Sequence, residues 1–386
     1  MRLPLLGCAI ACAAVLGTCG ARGDDRPSAR AGAAAAVQPS PPRAYRVPHG
    51  ARRVSTSREL RAALAAHRPR SIVLAPGAYE SRMPFLNPWG HRIYSARLGA
   101  AVLRAGLSLG GNDGRPGALV RGVVVDVDDP ARTVDGAAIA VWGAGRGARI
   151  LDTTLDGHGA LRAGVSAGQP DGLQIRRLRA RGFSDYGVVV DANEPTGGRF
   201  RLEDLDVASV GRPQPGSSGG RAEACVWIGN TGTVRRVRAR SCAWSGLWTG
   251  TAATHALFDQ IDVDDAPTGV YVEHFTTDSM FARLRIGRRV RVGLVTEWAD
   301  PAWGGRPASV GNVIRDSRFE SWLVGVYLDE GTTRTTVRDS AFANQRWGAI
   351  GDYRGRANRQ YSNAFDGLAP GAQPVRHDHL NSFRGG

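Results

Sequence analysis

Two short patterns of apolar and polar positions alternate along this chain between Trp142 and Tyr353. The first is a glycine followed by strict alternation. It appears as Gly187-Val-Val-Val-Asp191, Gly246-Leu-Trp-Thr-Gly250, Gly269-Val-Tyr-Val-Glu273, Gly293-Leu-Val-Thr-Glu297, Gly325-Val-Tyr-Leu-Asp329 and Gly348-Ala-Ile-Gly-Asp352. The second is apolar-x-x-apolar-x-apolar, from Ile150/Thr153/Leu155 through Ile175/Leu178/Ala180 and Phe258/Ile261/Val263 to Val337/Ser340/Phe342. Alternation of period two predicts short strands. The last five glycine anchors lie 23, 24, 32 and 23 residues apart, the long interval holding an insertion from Ala299 to Val310. One such period cannot bury its apolar positions alone, whereas stacked periods can, so the spacing predicts a solenoid.

Ahead of the repeat, Thr56-Ser-Arg-Glu59 reads as a capping box, and Leu60 and Leu64 make the following stretch a short amphipathic helix. The strand Ser71-Ile-Val-Leu74 and the turn Pro76-Gly77 come next. With these features the chain resembles the right-handed parallel β-helix (pectate-lyase-like) superfamily, over roughly residues 46–353. The resemblance implies an all-β, single-stranded parallel β-helix of about ten coils, with a short N-terminal capping helix. It selects no activity, because this solenoid carries lyases, hydrolases, epimerases and non-catalytic adhesins.

The flanks divide the rest. Arg2 precedes an apolar stretch from Leu3 to Leu16, the pattern of an export signal. Leu16-Gly-Thr-Cys19 resembles a bacterial lipobox, which makes Cys19 a candidate for lipidation, although Thr18 departs from the usual Gly or Ala. Plain secretion is the alternative and a simple N-terminal anchor the third option; the expectation is an exported protein, extracellular or a surface lipoprotein. Residues 1–19 are thus read as a leader, 20–45 as an Ala-, Pro-, Ser- and Arg-rich linker, 46–353 as the β-helix and 354–386 as a tail. Of five cysteines only Cys225 and Cys242 lie in the body, where they form one disulfide or stand as two buried thiols.

Charge changes the picture less than its size suggests. All 50 basic residues are Arg, and the net charge is +15. The absence of lysine excludes a lysine base, nucleophile or Schiff base. In the second pattern the outward residues alternate in sign from turn to turn: Arg176/Arg177/Arg179, Glu203/Asp204/Asp206, Arg235/Arg236/Arg238, Asp259/Gln260/Asp262, Arg283/Arg285. Pairing across turns accounts for many arginines, and no nucleic-acid-binding motif accompanies them. A monomer without a nucleic-acid partner is expected.

In the glycine-anchored strands the second and fourth residues after Gly face outward. Equivalent positions stack about 4.8 Å apart in a parallel solenoid. Glu273, Glu297, Asp329 and Asp352 should therefore form a column, with Asp191 at its earlier end and Trp248, Tyr271 and Tyr327 beside it. Stacked carboxylates repel one another, a cost that a catalytic site, a bound cation or nearby arginines would explain. Aromatic rings beside carboxylates suit carbohydrate, and the expected partner is a polysaccharide or envelope glycan. A glycosidase needs two carboxyl groups about 5–5.5 Å apart for retention or 6.5–9.5 Å for inversion, and the column permits either. Elimination or epimerisation would instead use His274 as base with a tyrosine as acid. Ca2+ is the one cation the acidic column suits, and otherwise no cofactor is expected. Trp298, Asp300 and Trp303, in the insertion after Glu297, are placed to cover a bound glycan. His377-Asp378-His379 in the tail is not read as a metal site. Hydrolase, lyase or epimerase, and non-catalytic glycan binder remain open at this level.

Overall fold

The computed structural model describes residues 45–110, 117–142, 146–168, 170–190, 199–211, 224–250, 253–297 and 309–380. Asp191, Trp298, Asp300, Trp303 and Cys19 lie outside the described residues. Parallel strands wind through about twelve turns, each turn contributing to three sheets. Ser57–Leu64 is the one α-helix among the described residues. Its capping box is closed by Thr56 and Glu59, and its Leu60 and Leu64 enter the core beside the first strands.

The apolar positions form columns. In the first sheet Ile150, Ile175, Leu202, Val234, Phe258, Phe281, Ile314 and Val337 pair turn by turn. In the second, Leu155, Ala180, Val207, Ala239, Val263, Ile286, Phe319 and Phe342 do the same. The third sheet carries the glycine-anchored strands, with Val188, Val226, Leu247, Val270, Leu294 and Val326 facing inward. All of these side chains are buried. The anchors are glycine for lack of space: a Cβ on Gly325 would lie 2.4 Å from Phe342 and 2.7 Å from the Ala349 carbonyl.

The apolar-x-x-apolar motif is a corner between two sheets rather than one straight strand. Its third residue adopts the left-handed conformation in every turn. Asp152, Arg177, Asp204, Arg236, Gln260, Arg283, Asp316 and Asp339 have φ between 51° and 57°. One left-handed residue turns the chain so that the residues on either side of the bend both point inward. That is why the spacing is three instead of two. L-residues occupy this region at a cost, which the surrounding structure must offset. The offset here comes from the core columns and from ion pairs at the corner itself, Arg177 with Asp152 and Arg236 with Asp204. The alternating ladder continues through Arg176–Glu203 at 3.0 Å, Arg240–Asp206 at 2.7 Å and Arg283–Asp259 at 2.7 Å. Glu203, Asp204 and Asp259 are nearly inaccessible, so their charges depend on these partners.

Cys225 and Cys242 form a disulfide, with Cα atoms 5.5 Å apart. It ties a third-sheet strand, Ala224–Ile228, to the end of Gly232–Cys242. Cys225 sits in the register position held by Gly187 and Gly246 in the turns on either side. The bond closes a loop of 17 residues, which predicts a loss of about 3 kcal/mol on replacing both cysteines with serine. Urea unfolding of the double variant should show a lower midpoint; an unchanged midpoint would rule out a stabilising bond.

The solenoid runs further than residue 353. Arg359–Tyr361 pairs with Thr336–Arg338, and Gln373–Arg376 pairs with Gly348–Asp352. This last turn escapes the apolar pattern because Gln360 takes the place of Val337 and Asn363 that of Ser340, while Phe365 still stacks on Phe342 at 5.7 Å. Beyond Arg376 the chain folds back over the third sheet and buries Leu380 against Val292, Val295, Val324 and Tyr327.

Candidate functional site

Glu273, Glu297 and Asp329 follow the third-sheet strands Thr268–Val272, Val292–Thr296 and Val324–Leu328. Tyr271, Val295 and Tyr327 are register partners, so the three carboxylates two residues on stand in consecutive turns. Asp352 does not join them. Ile350 pairs with Val326 and Asp352 with Leu328, one residue out of step with the glycine-anchored reading. The cause is that Ala349 takes the anchor position opposite Gly325, which brings Tyr353 level with Asp329. Asp352 instead accepts hydrogen bonds from Asn358 (2.9 Å) and Gln360 (3.0 Å).

The centre of the column is a compact cluster. Glu297 Oε2 accepts the His274 backbone N–H at 3.1 Å, and His274 Nδ1 lies 2.8 Å from the same oxygen. The Tyr271 phenol stands close enough to Glu297 to feel its charge. Burial, reinforced by the charges of Glu297 and Glu273, pushes the Tyr271 phenol well above its ordinary range, so it remains a donor. Glu273 Oε2 accepts Trp248 Nε1–H at 3.0 Å, and Glu273 Oε1 lies 3.6 Å from His274 Nδ1. The space for this carboxylate exists because residue 250 is glycine. A Cβ there would come within 2.3 Å of Glu273 Oε2. The Glu273 and Glu297 side chains remain 17% and 25% exposed, enough to be reached from solvent. Asp329 stands at the edge, its Oδ1 accepting the Glu330 N–H at 2.8 Å.

The turn that carries His274 is held from inside. Phe275 has φ of 62°, an unfavourable conformation for a bulky side chain, and its ring packs edge-on against His274 with centroids 4.9 Å apart. The next residue, Thr276, bonds Thr249 at 3.1 Å, while Asn312 Nδ2 donates to the Thr276 carbonyl at 2.9 Å. A neighbouring short ladder pairs Thr276–Thr277, Ser309–Val310 and Thr332–Thr333. These contacts keep the strained residue in place next to the carboxylates.

Aromatic rings extend from the cluster toward the N-terminal turns. Trp227, Trp248 and Tyr271 are register partners on the outer face. Trp248 lies 5.6 Å from Tyr271 and 6.0 Å from Trp227, and Trp244 fills the space between Trp248 (4.9 Å) and Tyr271 (4.7 Å). Trp244 and Trp227 escape the sequence pattern. The signal for Trp227 was the degenerate copy Ala224–Gly229, in which Cys225 replaces the anchoring glycine. Tyr327, expected beside the acids as a sugar-binding ring, is buried instead: its hydroxyl accepts the Leu380 N–H at 3.1 Å. Burial and the nearby Asp329 charge also raise its phenol pKa.

Among the described residues, Glu273, His274 and Glu297 are the one group of three whose donor atoms all lie within 4.8 Å of one another. An imidazole nitrogen between two carboxylates suits a zinc-like ion better than Ca2+, which takes oxygen ligands. No helix among the described residues is long and apolar enough to cross a membrane.

By sequence the chain matches no protein-family model and no curated protein. Solved structures do match. The A-module of the Azotobacter vinelandii mannuronan C-5 epimerase AlgE4 superposes with a TM-score of 0.61 at 13% identity, over 85% of this chain and 98% of that one. A PL6 family polysaccharide lyase from Pseudopedobacter saltans gives 0.59 at 10% identity, over 83% and 93%. A GH87 alpha-1,3-glucanase catalytic-domain variant in complex with nigerose gives 0.54 at 10% identity, over 88% and 70%. The chain is a right-handed parallel β-helix. At these identities the likeness establishes the fold alone.

Proposed function

We propose that this β-helix is an exported carbohydrate-active protein that cleaves a neutral polysaccharide by glycoside hydrolysis with retention of configuration. One observation carries the reading: Glu273 and Glu297, from adjacent turns, have oxygen atoms within 4.8 Å of each other, beside a row of aromatic rings. A separation of that size is nearer the about 5–5.5 Å of retaining glycosidases than the about 6.5–9.5 Å by which inverting ones admit a water. Glu297, oriented by His274, is assigned as nucleophile. Glu273, held by Trp248, is assigned as the acid that protonates the leaving oxygen and later activates water. Trp248 and Tyr271 would pack against sugar faces. The fold is shared by an epimerase, a lyase and a glucanase that act on polysaccharides, which supports glycan as the substrate class.

Electrostatics favours a neutral chain. Glu273, Glu297 and Asp329 present three carboxylates in consecutive turns, and a uronate brought to them would meet like charge. Elimination or epimerisation remains the second reading, supported by the His274–Glu297 contact at 2.8 Å and by a Tyr271 that keeps its proton. Incubation with a panel of linear neutral glucans and uronate polymers, followed by mass spectrometry and proton NMR, separates the two. Products heavier by one water, released first in the substrate's own anomeric form, are the expected result. Unsaturated or epimerised uronates would establish the second reading, and binding without any product would make the protein a glycan-binding module.

A further inference from the structure

The outer face of the third sheet is open on one side of the carboxylates and closed on the other. Toward the N-terminal turns it carries the partly exposed rings of Trp227, Trp248 and Tyr271 in successive turns about 4.8 Å apart. In the next two turns the equivalent positions are Val295 and Tyr327, which are 1% exposed. What covers them is the chain's own C-terminal segment. After Gln373–Arg376 has paired with Gly348–Asp352, the segment turns back along the solenoid axis. Arg376 lies over Trp347, the His377 ring reaches the Asp352 carbonyl at 3.1 Å, and His379 packs against Tyr353 at 4.7 Å. Leu380 then fills the hollow between Val292, Val295, Val324 and Tyr327, its N–H bonded to the Tyr327 hydroxyl. Val295 and Tyr327 stand two residues before Glu297 and Asp329 on the same outward face.

We infer that the segment Gln373–Leu380 is the end wall of the glycan groove, so that a chain lies on the Trp227–Trp248–Tyr271 side with its terminus against Leu380. The inference rests on the hydrolytic reading of the site and adds the mode of action: cleavage a fixed short distance from one chain end. A glycan crossing the carboxylates in both directions would have to displace Leu380 from an apolar pocket that includes Tyr327. No such obstacle stands on the aromatic side among the described residues.

The test compares the full chain with Leu380→Asp and with a chain stopped after Arg376, on linear glucan oligosaccharides of defined length labelled at the reducing end. Product length and the dependence of affinity on oligosaccharide length are both read. Thermal melts establish that each variant is folded, and the milder Leu380→Gly substitutes for either one that is not. The full chain should give one short product length from every oligosaccharide, with affinity that stops rising once the aromatic row is filled. The variants should give a spread of internal cuts and an affinity that keeps rising with length. Internal cuts by the full chain, or an identical product pattern in all variants, would overturn the wall while leaving the hydrolytic site intact. Neither binding nor cleavage by the full chain would remove the hydrolytic reading and the wall together.

Discussion

Glu297→Gln should leave the solenoid folded and lower glycan turnover by at least the roughly 10²–10⁴-fold that a positioned acid or base commands. The substitution keeps the shape of the side chain, and its amide oxygen can still accept the His274 backbone N–H, so the cluster has no reason to collapse. What is lost is the negative oxygen that attacks the sugar. Glu273→Gln should also be slow, and more so on substrates with poor leaving groups, because protonation of the leaving oxygen is the step removed. The contrast matters more than either rate. A substrate with an activated leaving group should rescue Glu273→Gln and leave Glu297→Gln slow. Equal rescue of both would exchange or abolish the assigned roles, and full activity in Glu297→Gln would end the hydrolytic reading.

Phe281→Ala carries the largest expected cost to stability, about 3–5 kcal/mol, the usual price of truncating a fully buried phenylalanine. Phe281 is completely inaccessible, and its ring stacks on Phe258 one turn earlier with centroids 4.9 Å apart and planes 11° from parallel. Few residues could move into the space, since the column above and below is pinned by strand pairing on both sides. Solenoid turns touch only their neighbours, so the loss should stay local. Hydrogen exchange should quicken in Leu257–Val263, Met280–Ala282 and Val313–Arg315 and stay unchanged in Arg92–Ser95. Uniformly faster exchange along the chain would show a cooperativity that the stacked architecture does not predict.

The core was legible because it repeats. Every inward position read from the apolar-x-x-apolar motif between Ile150 and Phe342 is buried. The sign-alternating ladder was legible for the same reason, since paired charges recur at fixed steps. Three features lay outside that logic. The early turns use strands of three or four residues, such as Leu107–Leu109 and Val124–Asp126, which are too short to show a period. Gly348 imitates an anchor that Ala349 occupies, and a slip of one residue moves every side chain to the other face; that is how Asp352 left the column. The burial of Tyr327 depends on Leu380, 53 residues away along the chain, and nothing local announces such a contact. Around the site, the carboxylates of adjacent turns followed from period alone. The roles of Gly250, Phe275 and Asn312 follow only from geometry.

The alternation of charge along the corner has a consequence for how this molecule can change length. From Asp152 through Arg177, Asp204, Arg236 and Asp259 to Arg283, each turn carries the opposite sign to its neighbours. Excising a single turn from this stretch would set arginine against arginine, or carboxylate against carboxylate at positions nearly closed to water. Excising two would restore every pairing. The stretch therefore has a parity: its natural unit of growth or loss is the doublet, although its unit of structure is the single coil.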